Sequence, residues 1–361
     1  MATKASTPRG RHIPWLDSVR ALAILTVILC HSAEAVYTYD AVSIGSAGLG
    51  SQIVAVGLFT IGRLGVPFFL FLTGYLMLDK RYDHEACVKF WKTKWLGLVV
   101  AAEIWIVIYD VFLHFVRHDA LTINLLIKNM LFLQNVYMGH MWYIPMIIGI
   151  YLLLPVMANG LKSLDNARVL VFPLVICFAV LFVVPVLDVL SVVSGSGPVK
   201  TELYTGFVGG VYGFYILVGY CFKKGLFDRV GSVTALICGL LFFALTVLEQ
   251  MFAYRRGLTS PVWYSNGLLF LSGFFLFLFF SKMRSDKERK IVSVLAKYSF
   301  ALYLVHFPVK ILLTPWIEAL GLPLCSIQVM VLSFAVLAVS LPVCIGISRI
   351  PVIGRRMLYM R

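Results

Sequence analysis

Apolar runs of about 20 residues recur along the whole chain, and this one feature restricts the fold more than any motif does. A run of that length crosses a hydrocarbon core of about 30 Å as an α-helix. Composition agrees, with 60% of the 361 residues apolar and 13% charged, against roughly 45–50% and 25% in soluble domains. The expected fold is all-α: a polytopic membrane protein with about ten transmembrane helices, over 16–36, 52–78, 95–114, 142–158, 169–187, 203–221, 231–250, 262–280, 298–318 and 324–347. These make one transmembrane domain, 16–347, between tails 1–15 and 348–361. The stretch 121–135, "LTINLLIKNMLFLQN", is apolar but short and broken by Asn124, Lys128 and Asn129. It reads as an interfacial or half-buried helix.

Basic residues test the parity of the spans, because Lys and Arg collect on cytoplasmic loops. With the N-terminus inside, 23 of the 31 fall in cytoplasmic segments, five outside and three within spans. Ten spans with both termini in the cytoplasm are therefore expected. The net charge of +14 follows from this topology and from anionic inner-leaflet lipids, so no nucleic-acid partner is called for. The segment before residue 16 is polar, basic and without a cleavage site, so the first span is expected to stay in the mature protein. The seven Cys are scattered, without CxxC or Cys/His ligand spacing, and point to neither a disulfide framework nor a metal site.

Function must then lie in the polar residues inside the spans, each expensive in hydrocarbon. Arg20 and His31 sit in "LDSVRALAILTVILCHS", eleven residues apart. Eleven helical steps bring them to nearly one face, about 16 Å apart along the axis, the pattern of one aligned groove across much of the membrane. Arg20 either snorkels and pairs with Asp17 or holds an anion near the inner surface. His31 is too deep to snorkel. Arg63 lies fifteen residues before the inner end of span two, and His31 fifteen from that of span one. Both therefore sit about 22 Å from the inner surface. There Arg63 either neutralises Glu34 or holds a phosphate or a developing oxyanion beside His31. His306 and Lys310, four apart across Pro308, form a polar lining or a satisfied kink, and Glu103 with Asp110 suggests a cavity wall. Tyr75, His140, Trp142 and Tyr143 lie near span ends, where aromatic residues commonly act as interfacial anchors.

The segments "LDSVRALAILTVILCH", "RLGVPFFLFLTGYLML", "HMWYIPMIIGIYLLLPVM" and "YSFALYLVHFPV" occur in this order. They resemble the acyltransferase-3 family of integral membrane O-acyltransferases, and within it the branch that O-acetylates surface polysaccharides, enterobacterial common antigen among them. The resemblance implies a multi-pass protein of the bacterial inner membrane. It implies an acyl-CoA donor, usually acetyl-CoA, as substrate on the cytoplasmic side, with no permanently bound cofactor. The acceptor it implies is a sugar hydroxyl on a surface glycan or a lipid-linked precursor. The family's essential Arg and His fall on Arg20 and His31; Tyr75, His140, Trp142 and Tyr143 match its motifs, and His306 lies in the fourth segment. Thr73 stands where a Ser is usual, and the Arg-x-x-Arg sometimes found after the second span is absent. Lys80, Arg81, Lys89, Lys92 and Lys94 are then left to contact donor phosphates.

The residue types suit acyl transfer in their own right. A base must take the hydroxyl proton, and donors must stabilise the tetrahedral oxyanion. His31 is expected to be the base, with Glu34, one turn away, as its orienting group and Arg63 nearby. Acylation of His31 itself, followed by relay, is the rival mechanism. Cys30 and Ser32 point about 100° to either side of it and are poor nucleophile candidates. A transporter or flippase for a glycan or lipid-linked sugar is the alternative from another class. It would suit the buried charges, but no repeated pair of broken spans is visible.

Overall fold

In a computed structural model, the described residues are 13–133, 139–196, 199, 209–259, 261–283 and 289–360. Most of the N-terminal tail, residues 134 and 135 of the expected interfacial stretch, and 203–208 of the sixth expected span lie outside them. The described chain is helical, with no strand among those residues. Eight stretches are long and apolar enough to cross a membrane: Pro14–Val36, Leu49–Met77, His84–Arg117, Gly139–Lys162, Ala167–Val192, Ser232–Arg255, Lys290–Glu318 and Cys325–Ser348. Two shorter apolar helices, Gly210–Lys223 and Gly267–Lys282, fall on the sixth and eighth expected spans. The chain is an all-α polytopic membrane protein.

In chain order the helices are α1 (Pro14–Val36), α2 (Leu49–Arg63), α3 (Gly65–Met77), α4 (His84–Phe90), α5 (Leu96–Arg117), α6 (Ile123–Met130) and α7 (Tyr143–Lys162). After them come α8 (Val171–Phe178), α9 (Val184–Val193), α10 (Gly210–Lys223), α11 (Ser232–Arg255), α12 (Gly267–Lys282), α13 (Lys290–Glu318), α14 (Cys325–Ser348) and the short α15 (Ile353–Met357). Between the second and third expected spans, α4 runs through a π turn, Trp91–Trp95, straight into α5. The indoles of Trp91 and Trp95 donate to the carbonyls of Leu152 and Ile148 on α7 at 2.9 and 3.1 Å. They pin this basic segment to the bundle. The interfacial stretch is α6, tied to α5 by Asn129 Nδ2, which donates to both Asp110 oxygens at 3.0 Å. Asp110 is thus a structural tie.

Helix α1 is central and packs on α2, α3, α12, α13 and α14. The junction of α2 and α3 comes close against it. A Cβ added at Gly62 would stand 2.6 Å from Cys30 Cα, and one at Gly65 2.6 Å from the Ala23 carbonyl oxygen. Only glycine admits that approach. The helix breaks at Leu64 because Pro67 has no N–H for the carbonyl of Arg63. Together the break and the two glycines press Arg63 against the C-terminal half of α1. By contrast α8 and α9 lie at the periphery, where Phe172 is 76% exposed, as a lipid-facing residue should be.

Candidate active site

The histidine of α1 is oriented by its own helix. His31 Nδ1 lies 2.7 Å from Glu34 Oε2, three residues on. Since a carboxylate only accepts, Nδ1 carries the proton and Nε2 keeps the lone pair. The other oxygen of Glu34 accepts from Arg63 Nη2 at 3.1 Å. Of the two readings of Arg63, the pairing with Glu34 is therefore present. A buried guanidinium needs further support. Arg63 has it from Tyr264 Oη at 3.4 Å and from the rings of Phe59 and Trp263, 4.6 and 4.7 Å from its Cζ. Such cation–π contacts are worth about 2 kcal/mol each when desolvated. Its Nε is buried without a hydrogen-bond partner.

Two more histidines close on the first. His306, on α13, stacks on His31 with ring centroids 5.4 Å apart. His140, in the 3₁₀ turn Gly139–Trp142 that leads into α7, lies 6.0 Å from His31 and 5.3 Å from His306. Their tautomers follow from their partners. His306 Nδ1 lies 3.0 and 2.8 Å from the carbonyl oxygens of Leu302 and Tyr303, so Nδ1 donates and Nε2 holds the lone pair. Pro308 has no N–H for the carbonyl of Leu304, and the hydroxyl of Tyr109 donates to it instead. With its one proton so used, Tyr109 accepts from His140 Nε2 at 3.2 Å. His140 Nδ1 and His306 Nε2 are both buried without a partner. In its neutral form each of the three imidazoles presents its second nitrogen as an acceptor within one cluster. Beside it Phe307 stacks on His140 at 4.3 Å, and Lys310 Nζ stands 3.7 Å from the Phe307 ring.

Nearer the other end a cavity of about 380 Å³ is lined by Arg20, Thr73, Lys80, Lys94, Tyr151 and Tyr359 among others. Arg20 also accepts the bland pairing, with Nη1 3.3 Å from Asp17 Oδ1. The cavity reaches Tyr143, whose ring lies 5.7 Å from that of Tyr303. The hydroxyl of Tyr303 in turn donates to the His140 carbonyl at 2.5 Å. His31 does not line the cavity. The single groove expected along α1 is therefore divided, with Tyr143 and Tyr303 between its basic mouth and the histidines.

Other expected residues lie elsewhere. Tyr75 faces away from the cavity and packs edge-on against Trp15 at 5.2 Å, under Lys223 Nζ at 4.8 Å. Arg81 is exposed and lines neither space. Trp142 belongs to an aromatic group with Tyr212, Trp263 and Tyr264, each 5.3 Å away, which adjoins Arg63. Tyr109, Tyr264 and Phe307 were not singled out from sequence. Of these only Phe307 carried a signal, as the neighbour of His306 and Pro308. The donor atoms of Cys30, His31 and Glu34 lie within 4.8 Å of one another, a composition that suits a metal. Glu34 is already engaged by His31 and Arg63, however, and the guanidinium opposes a second cation there.

A carboxylate-oriented histidine, an adjacent buried arginine and a separate basic cavity are thus held in one helical membrane body. The family model described as an acyltransferase domain, that of acyltransferase-3, matches residues 13–349. The chain belongs to that family. It is a multi-pass membrane acyltransferase. No curated protein and no solved structure gives a match.

Proposed function

We propose that the protein transfers an acetyl group from acetyl-CoA, presented at the inner face of a bacterial inner membrane, to a hydroxyl of a surface polysaccharide or its lipid-linked precursor. The observation that carries this reading is the Glu34–His31 contact with Arg63 on the same carboxylate. Acyl transfer to a neutral hydroxyl needs an acceptor nitrogen of fixed tautomer and a nearby positive charge, and this arrangement offers both.

His31 Nε2 takes the hydroxyl proton as the sugar oxygen attacks the thioester carbonyl. The C–O bond forms, and the carbonyl oxygen gains negative charge. Arg63, with its unpartnered buried Nε–H, and Lys310 are the cations at this level. The tetrahedral intermediate then expels the thiolate of CoA, and the C–S bond breaks. The imidazolium of His31 returns the proton to sulfur. Glu34 is a positioning residue that holds the tautomer. Arg20, Lys80 and Lys94 hold donor phosphates at the cavity mouth, and His140, Trp142 and His306 line the acceptor side.

The direct test supplies purified protein in vesicles with acetyl-CoA labelled in the acetyl group, and compares surface glycans by mass spectrometry from cells with and without the gene. Label transfer and a gene-dependent acetyl mass on a glycan are expected. Glycans identical in both strains, with no label leaving CoA, would overturn the reading.

A further inference from the structure

A second basic cavity adjoins the first. It has a volume of about 350 Å³, and its lining includes Lys92, Lys94, Gly97, Arg355, Arg356 and Tyr359. Lys94 and Tyr359 line both cavities, so the two spaces meet at these residues. No lining residue of either is acidic.

Basic residues gather at the cytoplasmic ends of any membrane protein, so charge alone assigns nothing. What sets this patch apart is that the C-terminal segment is folded down to form it. Leu358 is fully buried. The indole of Trp105 donates to the carbonyl of Met357 at 2.9 Å, and the hydroxyl of Tyr359 to that of Lys94 at 3.0 Å. The Tyr359 ring packs on Phe300 at 5.3 Å. Tyr359 adopts φ of 52°, in the left-handed region that non-glycine residues seldom occupy. The segment is thereby held across the start of α5, and Arg355 and Arg356 face the same space as Lys92 and Lys94.

We propose that this second cavity binds the 3′-phosphorylated adenosine end of the acyl-CoA donor, a role that rests on the acyl-CoA reading above. Arg355 and Arg356 line the second cavity only, and they hold the ribose 3′-phosphate. Lys94, at the junction, meets the pyrophosphate. The pantetheine arm then runs through the first cavity past Arg20, toward Tyr143. A phosphate on an anionic lipid headgroup offers the same chemistry, but a headgroup has no arm to fill the adjoining cavity.

The test uses the full chain in phosphatidylcholine vesicles and measures equilibrium binding of adenosine 3′,5′-bisphosphate and of adenosine 5′-monophosphate. Wild type should prefer the bisphosphate by about tenfold, the scale of one charge-assisted phosphate contact. The double variant Arg355→Gln, Arg356→Gln should bring that ratio close to one. A ratio near one in wild type, or one unmoved in the variant, overturns the proposal. A second arm adds phosphatidylglycerol to the vesicles. Loss of bisphosphate binding to that lipid in wild type would assign the cavity to headgroups and also overturn it. Transfer from labelled acetyl-CoA is measured in parallel. Arginine-dependent bisphosphate binding without transfer leaves this site standing and sinks the acetyl-CoA reading. Transfer without it does the reverse.

Discussion

Glu34 Oε2 and His31 Nδ1 are 2.7 Å apart on the same helix face. This contact needs no tertiary structure, because residues three apart on a helix are surface neighbours. The second oxygen of Glu34 does need it, since Arg63 reaches it from α2. Glu34→Gln keeps the shape but removes the charge that favours Nδ1–H and balances Arg63. A fall in kcat of about 10²-fold or more is expected, the scale of general-base catalysis, with little change in donor KM. His31→Ala should abolish transfer at normal abundance in the membrane. Turnover retained by His31→Ala at wild-type expression would remove that residue from the chemistry.

Arg20 separates binding from chemistry. It lines the basic cavity and lies about 16 Å along α1 from His31. Arg20→Ala should raise the acetyl-CoA KM about tenfold or more, by loss of a charge-assisted contact. Arg20→Lys should be intermediate, because it keeps charge but not the planar fork. Donor KM unchanged in both variants would leave Arg20 only its pairing with Asp17.

The position of Arg63 is open to direct measurement. In a background cleared of the seven native cysteines, Cys introduced at 31 and 63 should join through a short bifunctional reagent, while Cys at 20 and 63 should not. The assay is run with and without acetyl-CoA. Preferential joining of 20 and 63 would show that α2 sits in another register.

Tyr109 carries a stability prediction. Its hydroxyl serves both the Leu304 carbonyl freed by Pro308 and His140 Nε2. Tyr109→Phe leaves two buried polar groups unpaired, at about 1–3 kcal/mol. A lower midpoint of thermal unfolding in detergent is expected, and the same midpoint as wild type would contradict the tautomer assigned to His140.

At one end of the bundle, Asp79 lies 2.8 Å from Lys162 Nζ and 3.3 Å from Lys224 Nζ. Burial pushes its carboxyl up, but the two ammonium groups outweigh that and hold it below the ordinary range. A lowered folded-state pKa gives stability that is present above the unfolded value of about 3.9 and is lost as pH falls through the folded one. Asp79→Asn should therefore be less stable than wild type at pH 7, by under about 1 kcal/mol for partly exposed pairs. The gap should close on acidification below pH 4. A gap that persists in acid would mean that the loss comes from packing.

Sequence by itself determined what is local or summed along the chain. Length and hydropathy of the runs gave helices that cross a bilayer. Spacing within α1 placed Arg20, His31 and Glu34 on one side, and counting from the inner surface put Arg63 level with His31. Rotation about each helix axis was not legible. In water an apolar stripe marks the inward face, but lipid is as apolar as a protein core, so spans that are hydrophobic all round do not say which side meets protein. Tyr75 illustrates this: it lies in a motif segment yet faces Trp15 and Lys223 rather than the cavity. Only tertiary structure brought His140 and His306 against His31 from distant elements and set Tyr109 under the carbonyl that Pro308 leaves free. It also divided the groove at Tyr143 and Tyr303 and folded Arg355 and Arg356 back beside Lys94. Such contacts depend on how rigid helices rotate and pack, and no spacing within one helix encodes that.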